Sequence, residues 1–371
     1  MYKKNILIGL FKKNKNEAVE YLNELENLLK IFDGKVTKKF IQKKRNKNYL
    51  SYIGKGLLLK IIDYKNSNNI DTVIFDDELS LSQLKYLENL FKCNIIDRTK
   101  LILDIFAYKA KTFYSKIQVQ LANLEYVLPR LKNMWGHLKR QKGGIGGRGP
   151  GEKEIETDKR LIRNKINILK NKLKKINKEI LIQSNNRKGL ISIAIVGYTN
   201  VGKTTIFNKI TNNNYKTENK LFTTLDAKIN NFNIKKKKIL IIDTIGFLRK
   251  IPTKLIESFK SSIFEIKKSN LILHIIDLSS NFIFNKFLFI TNFLFNELSI
   301  DDNKPIIIVF NKKDKIKNFN LLYLKKQIRI KILNNKYLIY QKKKFLFLSI
   351  STNNIKDILK LKNIISKAIL I

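Results

Sequence analysis

The sequence predicts an α/β protein in three parts. These are an N-terminal parallel α/β domain over residues 1–110, an antiparallel helical hairpin (a coiled coil) over 111–188 with a glycine-rich loop at 143–151, and a P-loop domain over 189–371. Three observations predict it. Apolar runs alternate with helix-period patterns in the first 110 residues, two heptad seams flank a glycine cluster, and a GxxxxGK[ST] motif stands between an apolar strand and a helix.

In the first part, residues 5–10, 72–75 and 94–97 are short apolar runs and read as strands. Residues 17–31, 55–64 and 81–91 carry apolar side chains three and four apart and read as helices. The cluster Asp76-Asp77-Glu78 reads as a solvated strand end.

The second part begins with Ile117, Leu121, Leu124, Leu128, Leu131, Trp135 and Leu138, and its second seam is Ile162, Ile166, Leu169, Leu173, Ile176 and Ile180. Both seams follow the alternating three-and-four step of a coiled coil. Between them, six of the chain's 15 glycines fall in residues 143–151, where the backbone cannot stay helical. Pro129 removes a rung from the first arm and predicts a kink.

The 371 residues carry a net charge of +44, from 74 Lys+Arg against 30 Asp+Glu. Lysine is spread over every part, but five of the ten arginines (Arg130, Arg140, Arg148, Arg160, Arg163) fall within residues 130–163, and residues 111–190 carry a net +14. Arginine's planar fork fits phosphate and stacks on bases, so Arg140, Gly143, Gly144, Gly146, Gly147, Arg148 and Gly149 are the RNA-contact candidates. A lone Cys93 rules out an intrachain disulfide, and two His with one Cys are too few soft ligands for a zinc site. The most apolar stretch, 282–295, is short and broken by Asn285, Lys286 and Asn292, and residues 6–11 are too few for a signal segment. A cytoplasmic monomer without a membrane span is expected.

In the third part, the apolar strand 191–196 leads into Gly197-Tyr198-Thr199-Asn200-Val201-Gly202-Lys203-Thr204 and a helix from Thr205. Such a loop closes its N–H groups around phosphates, with the positive end of the helix behind them. Lys203 is expected to reach the β/γ-phosphates and Thr204 to hold Mg²⁺. Strand 239–242 ends in Asp243-Thr244-Ile245-Gly246, a DxxG, in which Asp243 would hold Mg²⁺ through water and the Gly246 N–H would sense the γ-phosphate. Strand 305–310 ends in Asn311-Lys312-Lys313-Asp314, an NKxD, whose carboxylate can accept from guanine N1–H and the 2-amino group. Adenine lacks both donors, so GTP and GDP are the expected ligands. Phe222-Thr223-Thr224-Leu225-Asp226 is the expected first switch, with Thr224 meeting Mg²⁺ and Thr223 the runner-up. Ser349, Ile350 and Ser351 follow strand 345–348 and are placed to line the base, and 355–369 reads as a closing helix.

Phe247 stands where many GTPases orient water with a glutamine, so intrinsic hydrolysis is expected to be slow. Asn200, with phosphate oxygens, suggests a K⁺ ion that offsets transition-state charge.

Beyond these shared motifs, the chain resembles the HflX-type ribosome-associated GTPases over nearly its whole length. The resemblance is carried by Tyr52-Ile53-Gly54-Lys55-Gly56, Phe75-Asp76-Asp77-Glu78-Leu79-Ser80, residues 96–106, Leu128-Pro129-Arg130-Leu131, residues 143–152 and Asp243-Thr244-Ile245-Gly246-Phe247-Leu248-Arg249. It implies a GTPase stimulated by the large ribosomal subunit, with the hairpin tip reaching rRNA, that dissociates or rescues stalled or idle ribosomes. Lys153-Glu154-Ile155-Glu156, Ile350 beside the base, and the short stretch after Ser351 depart from the family pattern; the C-terminal domain of longer members is expected to be missing. The alternatives are an RNA-remodelling NTPase and a ribosome-assembly GTPase.

Overall fold

Residues 5–9 are buried without a break, as a strand covered on both faces must be. They lie in β1 (Lys4–Phe11), which pairs in parallel with β2 (Lys35–Lys43) and β3 (Thr72–Phe75); β3 pairs in parallel with β4 (Asn94–Asp97), giving the order β2-β1-β3-β4. The computed structural model describes residues 2–43, 48–131, 150–185, 187, 189–213, 227–234, 237–250, 260–280, 282–301, 303–316, 321–333 and 345–370. Two units divide the chain: Met1–Ile176 with Lys250–Ser258, and Asn177–Arg249 with Phe259–Ile371.

In the first unit the connecting helices are α1 (Lys15–Leu29), α2 (Lys55–Asn68), α3 (Leu81–Phe91) and α4 (Arg98–Lys109). Ile6, Ile8, Val73, Phe75 and Ile95 form one core with Leu58 and Ile61 of α2 and Leu87 and Phe91 of α3. Leu7, Ile74 and Ile96 alternate to the other face, toward α1 and α4. Ser80 and Gln83 close a reciprocal capping box at the start of α3. Strand β2 escaped the sequence reading because Lys35, Lys38, Lys39 and Lys43 hide its apolar positions. It is a half-buried edge strand, where lysines guard against pairing with other chains.

The acidic cluster is not a solvated strand end. Asp76 is buried and takes Arg98 Nη1 at 2.7 Å, while Arg98 Nη2 pairs with Glu24. Tyr52 donates to Asp77 at 2.7 Å, and Lys250, which groups with this unit, pairs with both Asp76 and Asp77. Asp97 caps α4 through the Lys100 N–H (2.8 Å) and accepts from Tyr126 Oη (3.0 Å) and the Leu79 N–H (3.2 Å). Carboxylates at the ends of buried strands need such partners. Only Glu78, 58% exposed and 3.2 Å from Arg130, fits the original expectation.

The helical segments after α4 are α5 (Phe113–Val127), a 3₁₀ turn at Leu128–Arg130, and α6 (Pro150–Asn185). The turn contains Pro129, where a kink was predicted. Of the two seams, Ile117, Leu131, Ile166 and Leu169 are buried, and Lys170 of α6 pairs with Glu125 of α5 at 2.7 Å. Gln118, Val119, Ala122 and Tyr126 are buried too, because α5 also packs on α4, so its covered face is wider than a coiled-coil seam. The predicted tip, with Arg140, Gly143, Gly144, Gly146, Gly147, Arg148 and Gly149, lies outside the described residues, and so does the closure of the hairpin.

The second unit holds a six-stranded sheet, β10-β9-β8-β5-β7-β6, parallel except for the β6–β7 pair. Its elements are β5 (Ile191–Gly197), α7 (Lys203–Thr211), β6 (Lys228–Ile234), β7 (Lys237–Asp243), α8 (Lys260–Lys268), β8 (Leu271–Asp277), α9 (Ile283–Asn292), β9 (Ile306–Asn311), α10 (Leu321–Leu333), β10 (Phe345–Ser349) and α11 (Ile355–Leu370). The four middle strands are runs of Ile, Leu and Val buried on both faces. His274 of β8 stacks on Phe287, and burial pulls its pKa down to about 3, which keeps it neutral. Among the described residues no helix is long and apolar enough to cross a membrane.

Candidate functional site

Every described part of the predicted site lies at the carboxyl ends of β5, β7, β9 and β10, where open α/β sheets bind ligands. The loop after β5 turns through Asn200 (φ +60°) and Gly202 (φ +94°) before α7 begins at Lys203. Gly202 is required twice over: its backbone is left-handed, and a Cβ there would sit 2.4 Å from Asn311 Nδ2. The first N–H groups of α7 and the positive end of its dipole therefore open onto the loop. Thr199, Val201 and Lys203 are buried, Thr205 is half-buried on α7, and Asn200 is exposed.

Lys203 Nζ donates to the Tyr198 carbonyl at 2.8 Å and so points back along the loop. Burial lowers its pKa to about 8, against the pull of Asp243 toward the charged form. Thr204 Oγ1 donates to Asp243 Oδ2 at 2.7 Å, joining the phosphate loop to the end of β7. A buried hydroxyl and a buried carboxylate side by side are the hard oxygen donors that Mg²⁺ takes with substrate phosphates, so these residues fit the ion. Thr244 Oγ1 donates to the Ile195 carbonyl at 2.6 Å, fixing the turn that carries buried Ile245 and Gly246. A Cβ on Gly246 would lie 2.9 Å from Thr199 Cα and 3.1 Å from Lys203 Nζ, so only glycine comes this close. Phe247 is buried, with its ring 4.8 Å from that of Phe293.

The side expected from the sequence to face the base is built from three segments. Asn311 Nδ2 donates to the Val201 carbonyl at 2.8 Å, and Lys312 Nζ donates to the Asn200 carbonyl (2.8 Å) and Asp277 Oδ2 (2.7 Å). Both residues thus brace the phosphate loop, while Asp314 sits exposed in the 3₁₀ turn Lys313–Lys315. The Ile350 N–H donates to the Phe310 carbonyl at 2.8 Å, extending the pairing in which Ser349 of β10 faces Phe310. The Ser351 N–H donates to Asp357 at 2.9 Å, and Lys313 pairs with Asp357 at 2.7 Å. Burial would raise the Asp357 pKa, but the Lys313 ammonium and the Ser351 amide outweigh it and hold the carboxyl below its ordinary value. Asp277 and Asp357 were missed by the sequence reading. Asp277 ends an apolar strand, as Asp243 does, and that position was its signal; Asp357 had none. Phe222, Thr223, Thr224, Leu225 and Asp226 lie outside the described residues.

Three family models cover the chain: "GTP-binding GTPase N-terminal" over residues 19–107, "GTP-binding GTPase Middle Region" over 109–187 and "50S ribosome-binding GTPase" over 192–312. GTPase HflX of Flavobacterium psychrophilum is 45% identical over 322 residues, which are 86% of this chain and 78% of that protein. GTPase HflX of Escherichia coli K12 is 38% identical over 271 residues, 72% of this chain and 63% of that protein. Among solved structures, the SsGBP–GDP complex matches with a TM-score of 0.53 and 27% identity, covering 98% of each chain. With the phosphate loop, the DxxG turn and the NKxD turn joined at one end of one sheet, and with this identity across most of both chains, the protein belongs to the HflX family of GTPases.

Proposed function

We propose that the chain binds GTP at the ends of β5, β7, β9 and β10, hydrolyses it slowly alone, and uses the cycle as a switch on the large ribosomal subunit. The Thr204–Asp243 hydrogen bond carries the reading, since it brings the phosphate loop and the DxxG strand to the same point. Gly197, Val201 and Gly202 shape the loop, Lys203 holds the β/γ-phosphates, and Gly246 offers its N–H to the γ-phosphate. Asp314 reads guanine, with Ser349, Ile350 and Ser351 beside the base. Thr204 directly and Asp243 through water would hold Mg²⁺, which would supply neutralisation of the phosphate charge. Thr224 is the proposed third group at that point.

Phe247 has no donor or acceptor in its side chain and its ring is turned onto Phe293, so water must be oriented by another group. The family model's description as 50S ribosome-binding supports a large-subunit partner, and the arginines of residues 130–163, set around a glycine-rich loop, support contact with rRNA. Release of stalled or idle ribosomes is the outcome we assign to this switch.

GTPase rates with isolated large subunits, small subunits and whole ribosomes test this directly. We expect large subunits to raise the rate at least tenfold; no stimulation by any of the three would end the reading. In a companion arm, Arg148→Ala should lower the stimulation while leaving nucleotide affinity intact. For Asn200, the expected result is faster hydrolysis in K⁺ than in Na⁺ at matched ionic strength, and equal rates would remove the K⁺ proposal.

A further inference from the structure

Beyond Gly246 the chain does not leave the phosphate loop. The Phe247 N–H donates to the Gly197 carbonyl at 3.1 Å, and the Thr199 N–H donates to the Phe247 carbonyl at 2.9 Å, forming a parallel bridge of Tyr198 with Phe247. A third bond has a different character, because a side chain makes it. The Arg249 N–H donates to the phenol oxygen of Tyr198 at 3.0 Å.

Tyr198 is well placed to hold that bond. It is only 4% exposed, its ring meets Phe289 edge-on at 6.2 Å between centroids, and the Lys286 ammonium lies 5.3 Å from the ring centre. Packing on the ring fixes the hydroxyl, and the hydroxyl fixes the backbone at Arg249. The turn is anchored at its start by Thr244 on the Ile195 carbonyl. Gly246 lies between these two anchors, close against Thr199 and Lys203 Nζ. A short segment held at both ends keeps its central amide in one place, which is the preorganisation an anion-binding donor needs.

We propose that Tyr198 is a positioning residue for the γ-phosphate: its hydroxyl holds the segment after DxxG in register with the phosphate loop, and so aims the Gly246 N–H. The proposal rests on the GTP reading above and goes further by assigning the GTP-over-GDP preference to a phenol oxygen. GDP has no group at that position, so loss of the hydroxyl weighs on GTP far more than on GDP.

The test is Tyr198→Phe, which keeps the ring against Phe289 and deletes one oxygen. Affinities for fluorescent GDP and for a fluorescent non-hydrolysable GTP analogue are measured with wild type and variant in Mg²⁺ buffer, alongside kcat and KM for GTP. We expect the GTP-analogue-to-GDP affinity ratio to fall about 5- to 10-fold, with kcat falling with it, as suits the loss of one hydrogen bond. A role in packing alone would lower thermal stability and leave the ratio unchanged. If wild type binds neither nucleotide, the GTP reading itself fails. If wild type binds both and the variant keeps or increases the ratio, the assignment to Tyr198 is overturned and the reading stands.

Discussion

Asp314→Asn turns the protein from guanosine toward xanthosine nucleotides. Xanthine carries a carbonyl where guanine has its 2-amino group, so the Asn amide can donate where the Asp carboxylate could only accept. Sites that hydrogen-bond a ligand group reject the analogue lacking it by large factors, and a swing in GTP-versus-XTP preference on the order of 10³-fold is expected. The turn should survive the change, because its fastening does not run through Asp314. Asn311 and Lys312 hold it to the phosphate loop, and Lys313 holds it to Asp357. Competition of GTP and XTP for hydrolysis reads the outcome; unchanged GTP preference would show that the base is recognised elsewhere. Persistence of an ATP-driven activity in this variant would instead reveal a second nucleotide site.

Lys203→Met removes the one buried ammonium of the phosphate loop while keeping the length of the side chain. We expect GTP turnover to fall by about 10²- to 10³-fold, the usual effect of deleting a charge-stabilising group. Wild type should also show a pH signature that the variant lacks. Without nucleotide the Lys203 pKa is about 8, and bound phosphates raise it by favouring the ammonium. Affinity is thus fully present below pH 8 and is lost as pH rises above it, by up to about tenfold per unit. Titrations with fluorescent GDP between pH 7 and 9 measure this slope. A flat wild-type profile would mean that Lys203 stays charged in the empty site.

The phosphate loop, DxxG and NKxD were legible because each combines residue types that the backbone geometry demands with a position at a strand end. Gly202 is the clearest case, since both its φ of +94° and the crowding by Asn311 exclude a side chain. What stayed hidden was tertiary. Asp76 looked solvated because its partners, Arg98 and Lys250, are 22 and 174 positions away in the chain. Strand β2 was missed for a physical reason of its own: an edge strand buries little, so its alternation is weak. Strand β6 was missed likewise, with only Phe232 buried among its seven residues. The hydroxyl of Tyr198 was invisible as well, because a P-loop tolerates almost any residue there and only the fold brings Arg249 to it.

The order of strands in the second unit also sets the order of assembly during synthesis. β5 emerges first and ends in the middle of the sheet; the β6–β7 pair then docks on one flank, and β8, β9 and β10 follow in turn on the other. No strand has to be inserted between two already in place, so the sheet can grow outward as the chain is made. Roughly 150 residues separate the starts of β5 and β10, a delay of roughly 8 to 30 s at ordinary translation speed. The phosphate loop and the DxxG turn therefore exist before Asp314, and well before Ser349, Ile350 and Ser351, so during synthesis the proposed phosphate contacts precede the proposed base contacts.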